Sequence, residues 1–186
     1  MAKSLSEMSL EELWELFPIY LTEHQECWAR WYEEERDTLK DILPVTPELR
    51  IHHIGSTAIR GIWAKPIIDI LIEVPDAAAL KMGKERLAAG GYICMSDSGS
   101  RVSFNKGYTE EGFAERVFHI HLHLMNDNDE IYFRDYLNTH PGAAKEYESL
   151  KLALWKRYEH NRDQYTTEKT ELVAKYTKLA KESLCG

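Results

Sequence analysis

The stretch that decides the fold is His53-Ile54-Gly55-Ser56-Thr57, followed after a short gap by Lys65-Pro66-Ile67-Ile68-Asp69-Ile70-Leu71-Ile72-Glu73-Val74. The first part is a Gly-Ser turn and the second an apolar strand that carries acids. Glycine lets backbone amides approach an anion closely, and the serine hydroxyl supplies another donor. Side chains alternate along a strand, so Asp69 and Glu73, an even number of residues apart, leave the same face. A phosphate site beside a metal site is built in this way. An acid between Ile68 and Ile70 is also costly to bury unless something compensates it, and a metal or bound cation would do so.

A second cluster lies at Val117-Phe118-His119-Ile120-His121-Leu122-His123-Leu124. The three histidines alternate with apolar residues, so they share one strand face while the other packs into the core. If this strand lies near that of Asp69, imidazoles and carboxylates converge on one patch. Such a donor set suits manganese, zinc or iron better than magnesium, which prefers oxygen ligands. The alternative is that the rings contact phosphate oxygens, or that they are half-exposed sheet residues bonded to their neighbours.

Outward from these two strands the pattern is α+β. Ser9 with Glu12 forms a capping box for a short helix that Pro18 ends, and helical spacing of Trp28, Trp31, Tyr32, Leu39 and Ile42 predicts a long helix over about 19–42. Strands follow at 49–53 and through Asp69. A helix capped by Asp76 stops at Gly90-Gly91, and strands follow at 92–95, 101–105 and 115–124. Beyond Asn126 the pattern is helical, over 129–139, 143–160 and a last segment set off by 161–165. The expected architecture is a mixed sheet of about five strands with flanking N-terminal and C-terminal helices.

Several of these residues resemble one known signature. His53-Ile54-Gly55-Ser56-Thr57-Ala58, Gly61, Ala64-Lys65-Pro66-Ile67-Ile68-Asp69-Ile70, His121-Leu122-His123, Phe133-Arg134-Asp135-Tyr136-Leu137, His140-Pro141 and the Tyr165 to Lys169 spacing are similar to the GrpB family, a branch of the nucleotidyltransferase superfamily. The likeness runs from about residue 18 to near the C-terminus. It implies a nucleotidyltransferase-like fold, whereas a reaction and substrate do not follow from it. The sequence also departs from the active-transferase pattern, in which two carboxylates stand as Asp-x-Asp or Asp-x-Glu. The second position here is Leu71, and Glu73 lies about 13 Å beyond Asp69 at ~3.3 Å per residue, too far to replace the missing acid.

The expected site therefore joins two sets of residues. Gly55, Ser56, Lys65, Arg134 and Lys169 would hold phosphates. Asp69 with His119, His121 and His123 would hold a divalent metal, magnesium or manganese ahead of zinc, with Asp69, His121 and His123 carrying the chemistry. The implied ligand is a nucleotide or small phosphorylated molecule. Two function classes follow: a metal-dependent nucleotidyltransferase, or a catalytically inactive module that binds a nucleotide or phosphometabolite. Metal-assisted phosphoester hydrolysis is a third, weaker alternative.

Composition bounds these readings. The 186 residues, 44% hydrophobic, suffice for one domain over 1–186. A formal net charge of -8 opposes nonspecific nucleic-acid binding, which needs a basic surface. No apolar run approaches the ~20 residues that cross a bilayer, so no membrane is expected. The start, Met1-Ala2-Lys3-Ser4-Leu5-Ser6-Glu7, lacks a secretory apolar core. Cys27, Cys94 and Cys185 form no Cys-x-x-Cys pair and read as reduced thiols, so the expected location is cytoplasmic. Walker A, Rossmann glycine and Gly-x-Ser-x-Gly motifs are missing from the sequence.

Overall fold

The computed structural model describes residues 3–44 and 46–184; the expectations placed on Met1, Ala2 and Cys185 lie outside them. Its centre is β2 (Ile67–Val74), an apolar run because it is covered on both faces, with Asp69 its one partly exposed position. β1 (Arg50–Ile54) pairs antiparallel with β2, and β5 (Gly112–Leu124) pairs parallel with it. β4 (Arg101–Thr109) and β3 (Ile93–Asp97) extend the sheet antiparallel, giving the order β1-β2-β5-β4-β3. The expected α+β architecture, with its mixed five-stranded sheet, is what forms.

The even-numbered residues of the two central strands, Ile68, Ile70 and Ile72 on β2 and Phe118, Ile120 and Leu122 on β5, build the main core with Trp28 and Leu39 of α2 (Cys27–Ile42) and Leu80 and Leu87 of α3 (Ala77–Ala89). Alternation then sends Asp69, Leu71 and Glu73, together with His119, His121 and His123, to the opposite face. The parallel register sets Asp69 beside His119, Leu71 beside His121 and Glu73 beside His123.

The C-terminal helices are α4 (Asp129–Thr139), α5 (Pro141–Tyr158), α6 (Arg162–Thr167) and α7 (Thr170–Leu184). Phe133, Leu137, Ala144, Tyr147 and Tyr176 from this group form a second core with Ile59 and Ile62, which follow the Gly-Ser turn. Leu154 and Tyr165 close a third on Ile19.

Two local expectations need correction. α1 (Leu10–Leu16) has the capping box read from Ser9 and Glu12, but α2 starts at Cys27, not near Ile19. Residues 19–26 are held away from the helix by backbone pairing: the Ile19 amide donates to the Glu159 carbonyl, and Thr22 exchanges hydrogen bonds with Ala64. Residues 161–165 do not simply divide helices either, since the Asn161 side chain accepts from Gln164 and starts α6. No helix among the described residues is long and apolar enough to cross a membrane.

Candidate phosphate-binding site

The site begins where β1 ends. Gly55 adopts φ 71°, and a Cβ built on it would stand 2.3 Å from Asp69 Oδ2. Only glycine fits there, for both reasons: the left-handed backbone and the carboxylate lying against it. Ser56–Ala58 then form a short 3₁₀ turn. His53 braces it, stacked on Tyr32 with its Nε2 3.0 Å from the Thr57 hydroxyl. Burial pushes the His53 imidazole down to about 4, so the ring is neutral at physiological pH.

On the neighbouring strands, His119 Nδ1 and His121 Nε2 each lie 3.4 Å from Asp69 Oδ1. Burial pushes the Asp69 carboxyl up, yet the two imidazoles hold it well below the usual carboxylate range, so it remains ionised. Burial in turn lowers His119, against the attraction of Asp69. The other nitrogen of His119 sits 2.8 Å from the Tyr108 hydroxyl, to which Arg162 donates at 3.0 Å. With Asp69 accepting at Nδ1, the network assigns the Nε2 lone pair to the Tyr108 hydroxyl.

The opposite wall is cationic. A cavity of about 150 Å³ is bounded by Gly55, Ser56 and Asp69 on one side and by Lys65, Lys151 and Lys169 on the other, with His119, Tyr147 and Tyr165 between. Lys151 is only 1% exposed; its Nζ donates to the Trp63 carbonyl and lies 4.8 Å from the Tyr147 ring. Lys169 and Lys65 both lie over one aromatic neighbour, 4.4 and 5.3 Å from the Tyr165 centroid. Among the described residues, no carboxylate oxygen comes within 4.0 Å of any of the three ammonium groups. Burial and the charge of Lys169 push both Lys65 and Lys151 down to about 7.

Of the residues singled out from sequence, Gly55, Ser56, Lys65, Asp69, His119 and Lys169 line this one cavity, and His121 touches its acid. His123 does not join them. It shares their strand face but stands one step farther along, beside Glu73, 4% exposed and with Nδ1 2.8 Å from the Asp127 carbonyl. Arg134 is also elsewhere: its guanidinium donates to the His53 carbonyl at 2.7 Å and to Asp135, a tie between α4 and β1. Trp63 contributes backbone only, its amide bonded to Glu148 and its carbonyl to Lys151. Sequence reasoning misses Lys151 and Tyr147. A signal exists, because Ala144, Tyr147, Lys151 and Leu154 form one buried helical stripe on α5 with a lysine inside it.

The donor set does not fit the two-carboxylate pattern of an active transferase. Leu71 occupies the second acid position with no exposure, and Asp69 Oδ1 is already approached by two imidazoles. Among the described residues, no three His, Cys, Asp or Glu side chains group closely enough to hold an ion.

Comparison with known proteins agrees with the sequence signature. The family model described as GrpB protein matches residues 18–179. The chain is 37% identical over 154 residues to UPF0157 protein YqkA of Bacillus subtilis, covering 81% of this chain and 43% of that protein, so it spans less than half of YqkA. It is 37% identical over 161 residues to the glutamate-rich protein GrpB of Alkalihalophilus pseudofirmus, covering 83% and 91%. The crystal structure of GrpB from Enterococcus faecalis superposes with a TM-score of 0.76 at 27% identity, covering 90% of this chain and all of that one. Cid1, an RNA terminal uridylyl transferase, superposes with a TM-score of 0.50 at 14% identity over 71% of this chain, a likeness of fold alone. With the family model spanning nearly the whole described chain and the sheet matching its fold, this protein belongs to the GrpB family and has a nucleotidyltransferase-like fold.

Proposed function

We propose that the cavity binds the phosphates of a nucleotide or small phosphorylated ligand directly on lysines, and that the protein acts as a binding module, not a two-metal transferase. One observation carries this: Lys65, Lys151 and Lys169 converge on a cavity with no carboxylate paired to any of them among the described residues. A buried ammonium without a counter-charge is costly, and an anion entering the cavity removes that cost for Lys65 and Lys151, with the charge of Lys169 beside them. The Gly55-Ser56 turn adds hydroxyl and backbone donors on the facing wall.

Asp69 has a different part in this reading. Its carboxylate orients His119 and His121 and offsets one lysine charge across the cavity, leaving an excess of positive charge for the ligand. The Cid1-like fold supports a nucleotide as the ligand class. Calorimetric titration of ATP and inorganic triphosphate, with EDTA present, tests the proposal. Heat of binding in EDTA without turnover supports it. Binding or product formation only when Mg²⁺ or Mn²⁺ is supplied would establish the metal-dependent alternative instead.

A further inference from the structure

Lys65 starts from a fixed point of the backbone. Ala64 before it exchanges hydrogen bonds with Thr22 at 2.9 and 3.0 Å, Pro66 follows it, and β2 begins at Ile67. A residue that precedes proline is confined to extended conformations, so the pairing and the proline ring together aim this side chain. Its ammonium group enters the lysine cavity and lies over the Tyr165 ring at 5.3 Å, with no hydrogen-bond acceptor among the described residues. Lys151 is placed differently: it is almost wholly buried and donates to the Trp63 carbonyl. Lys65 is half-buried, and it also borders a narrow apolar notch formed with Pro18, Tyr20 and Phe113.

The charges that face Lys65 are Lys169, Arg162 at the start of α6, and Asp69 on β2. Burial, reinforced by Lys169 and Arg162 against the attraction of Asp69, pushes the Lys65 amine down to about 7. An exposed lysine stays at ~10.4 and is almost wholly protonated at neutral pH. The neutral amine is the nucleophilic form, and desolvation beside other cations is how lysine nucleophiles are activated. A cavity that gathers phosphates around such an amine brings one class of phosphorylated compound within its reach in a reactive state. Phosphate esters and anhydrides offer the amine only an anionic phosphorus, whereas an acyl phosphate carries an electrophilic carbonyl carbon.

We infer that Lys65 is an acylation site for acyl phosphates: Lys151 and Lys169 hold the phosphoryl group, and the acyl carbon is presented to the Lys65 amine beside the apolar notch. This rests on the phosphate site proposed above. In the step, the Nζ lone pair forms the bond to the acyl carbon, and the bond from that carbon to the phosphoryl oxygen breaks with its electron pair. Inorganic phosphate leaves, taking up the proton that the nitrogen releases. The product is an uncharged amide, so one of the three cations is removed from the cavity and the site loses affinity for phosphates. An acyl phosphate thereby turns off the binding site it enters.

The test incubates the full chain with acetyl phosphate near pH 7.5 and follows acetylation of individual lysines by peptide mass spectrometry. Lys65 is expected to react at least tenfold faster than Lys178, whose side chain is 78% exposed, and inorganic triphosphate to suppress that preference. With p-nitrophenyl acetate, a neutral acetyl donor, the preference for Lys65 should be at least fivefold smaller. Acetylated wild type should bind triphosphate at least tenfold more weakly, and the same treatment should not lower the affinity that Lys65→Arg retains. Lys65 reacting no faster than Lys178, or as selectively with p-nitrophenyl acetate, overturns the inference. An equal loss of affinity in treated Lys65→Arg overturns it too, by placing the effective acylation elsewhere. If triphosphate binds the untreated protein but Lys65 is not preferred, the phosphate site stands and the acylation alone falls. If triphosphate neither binds nor protects, both fall.

Discussion

The two ends of β2 present the same pattern, an acid between branched apolar residues and beside a histidine, and become different things. At one end Asp69 stands beside His119 and His121; at the other Glu73 stands beside His123, on the same face and in the same register. Asp69 keeps 27% of its side chain accessible and borders a cavity. Glu73 has no exposure: its Oε1 accepts from the Asn126 amide at 2.9 Å and from Asn128 at 3.0 Å, while Oε2 lies 3.3 Å from His52 Nε2. An acid near imidazoles is therefore no mark of function by itself. What separates the two is whether protein donors surround the carboxylate or leave it facing a space lined by unpaired lysines.

The largest effect that would sharpen this contrast is on stability. Glu73→Ala strands the Asn126 amide and the Asn128 side chain without their buried acceptor, and should cost about 3–5 kcal/mol in urea unfolding. Asp69→Asn should cost less, about 1–2 kcal/mol, because an amide oxygen still accepts from an imidazole and the side chain borders a cavity. Equal losses at both ends would erase the distinction. Next in size is Lys151→Met, which keeps the bulk and removes a charge-assisted contact. Triphosphate affinity in EDTA should fall by about 10- to 100-fold, from a contact of about 1.5–3 kcal/mol. Stability should not fall.

The lysines also give the cavity its own pH signature. Lys65 and Lys151 are pushed from 10.5 to about 7 on folding. Between those values the unfolded chain binds more protons than the folded one, so stability of the unliganded protein rises with pH, and the penalty is complete below about 7. From pH 7 to 9 a gain of about 2 kcal/mol for each of the two lysines is expected, flattened in Lys65→Met/Lys151→Met. Affinity for triphosphate should move the opposite way, declining over the same range as the ammonium groups lose protons. A stability curve with no such rise would remove the lysines from the explanation.

Much of the sheet and part of the site are legible in the amino-acid sequence. The apolar runs and the alternation of histidines define the sheet and the face on which Asp69, His119 and His121 meet, because burial on one face leaves a strand little choice of register. The Gly-Ser turn is readable as a turn, although the close approach of Gly55 to Asp69 depends on the pairing of β1 with β2. Contacts made by residues far apart in the chain are not legible. Arg134 carries a family motif yet spends its guanidinium on the His53 carbonyl. Tyr108 reaches His119 only because the Gly107 bulge reverses the alternation. Lys151 escapes notice because a lysine inside an apolar helical stripe reads as a surface charge until its surroundings are known.

The most direct test of the central claim is titration of ATP into wild type and Asp69→Asn, in EDTA and again with Mn²⁺. If the lysines hold the phosphates and Asp69 only opposes them across the cavity, Asp69→Asn binds about fivefold tighter in EDTA, for a screened charge interaction near 1 kcal/mol, and Mn²⁺ does not improve the wild type. Wild-type binding that needs Mn²⁺ and is lost in Asp69→Asn would contradict the account and make Asp69 a metal ligand.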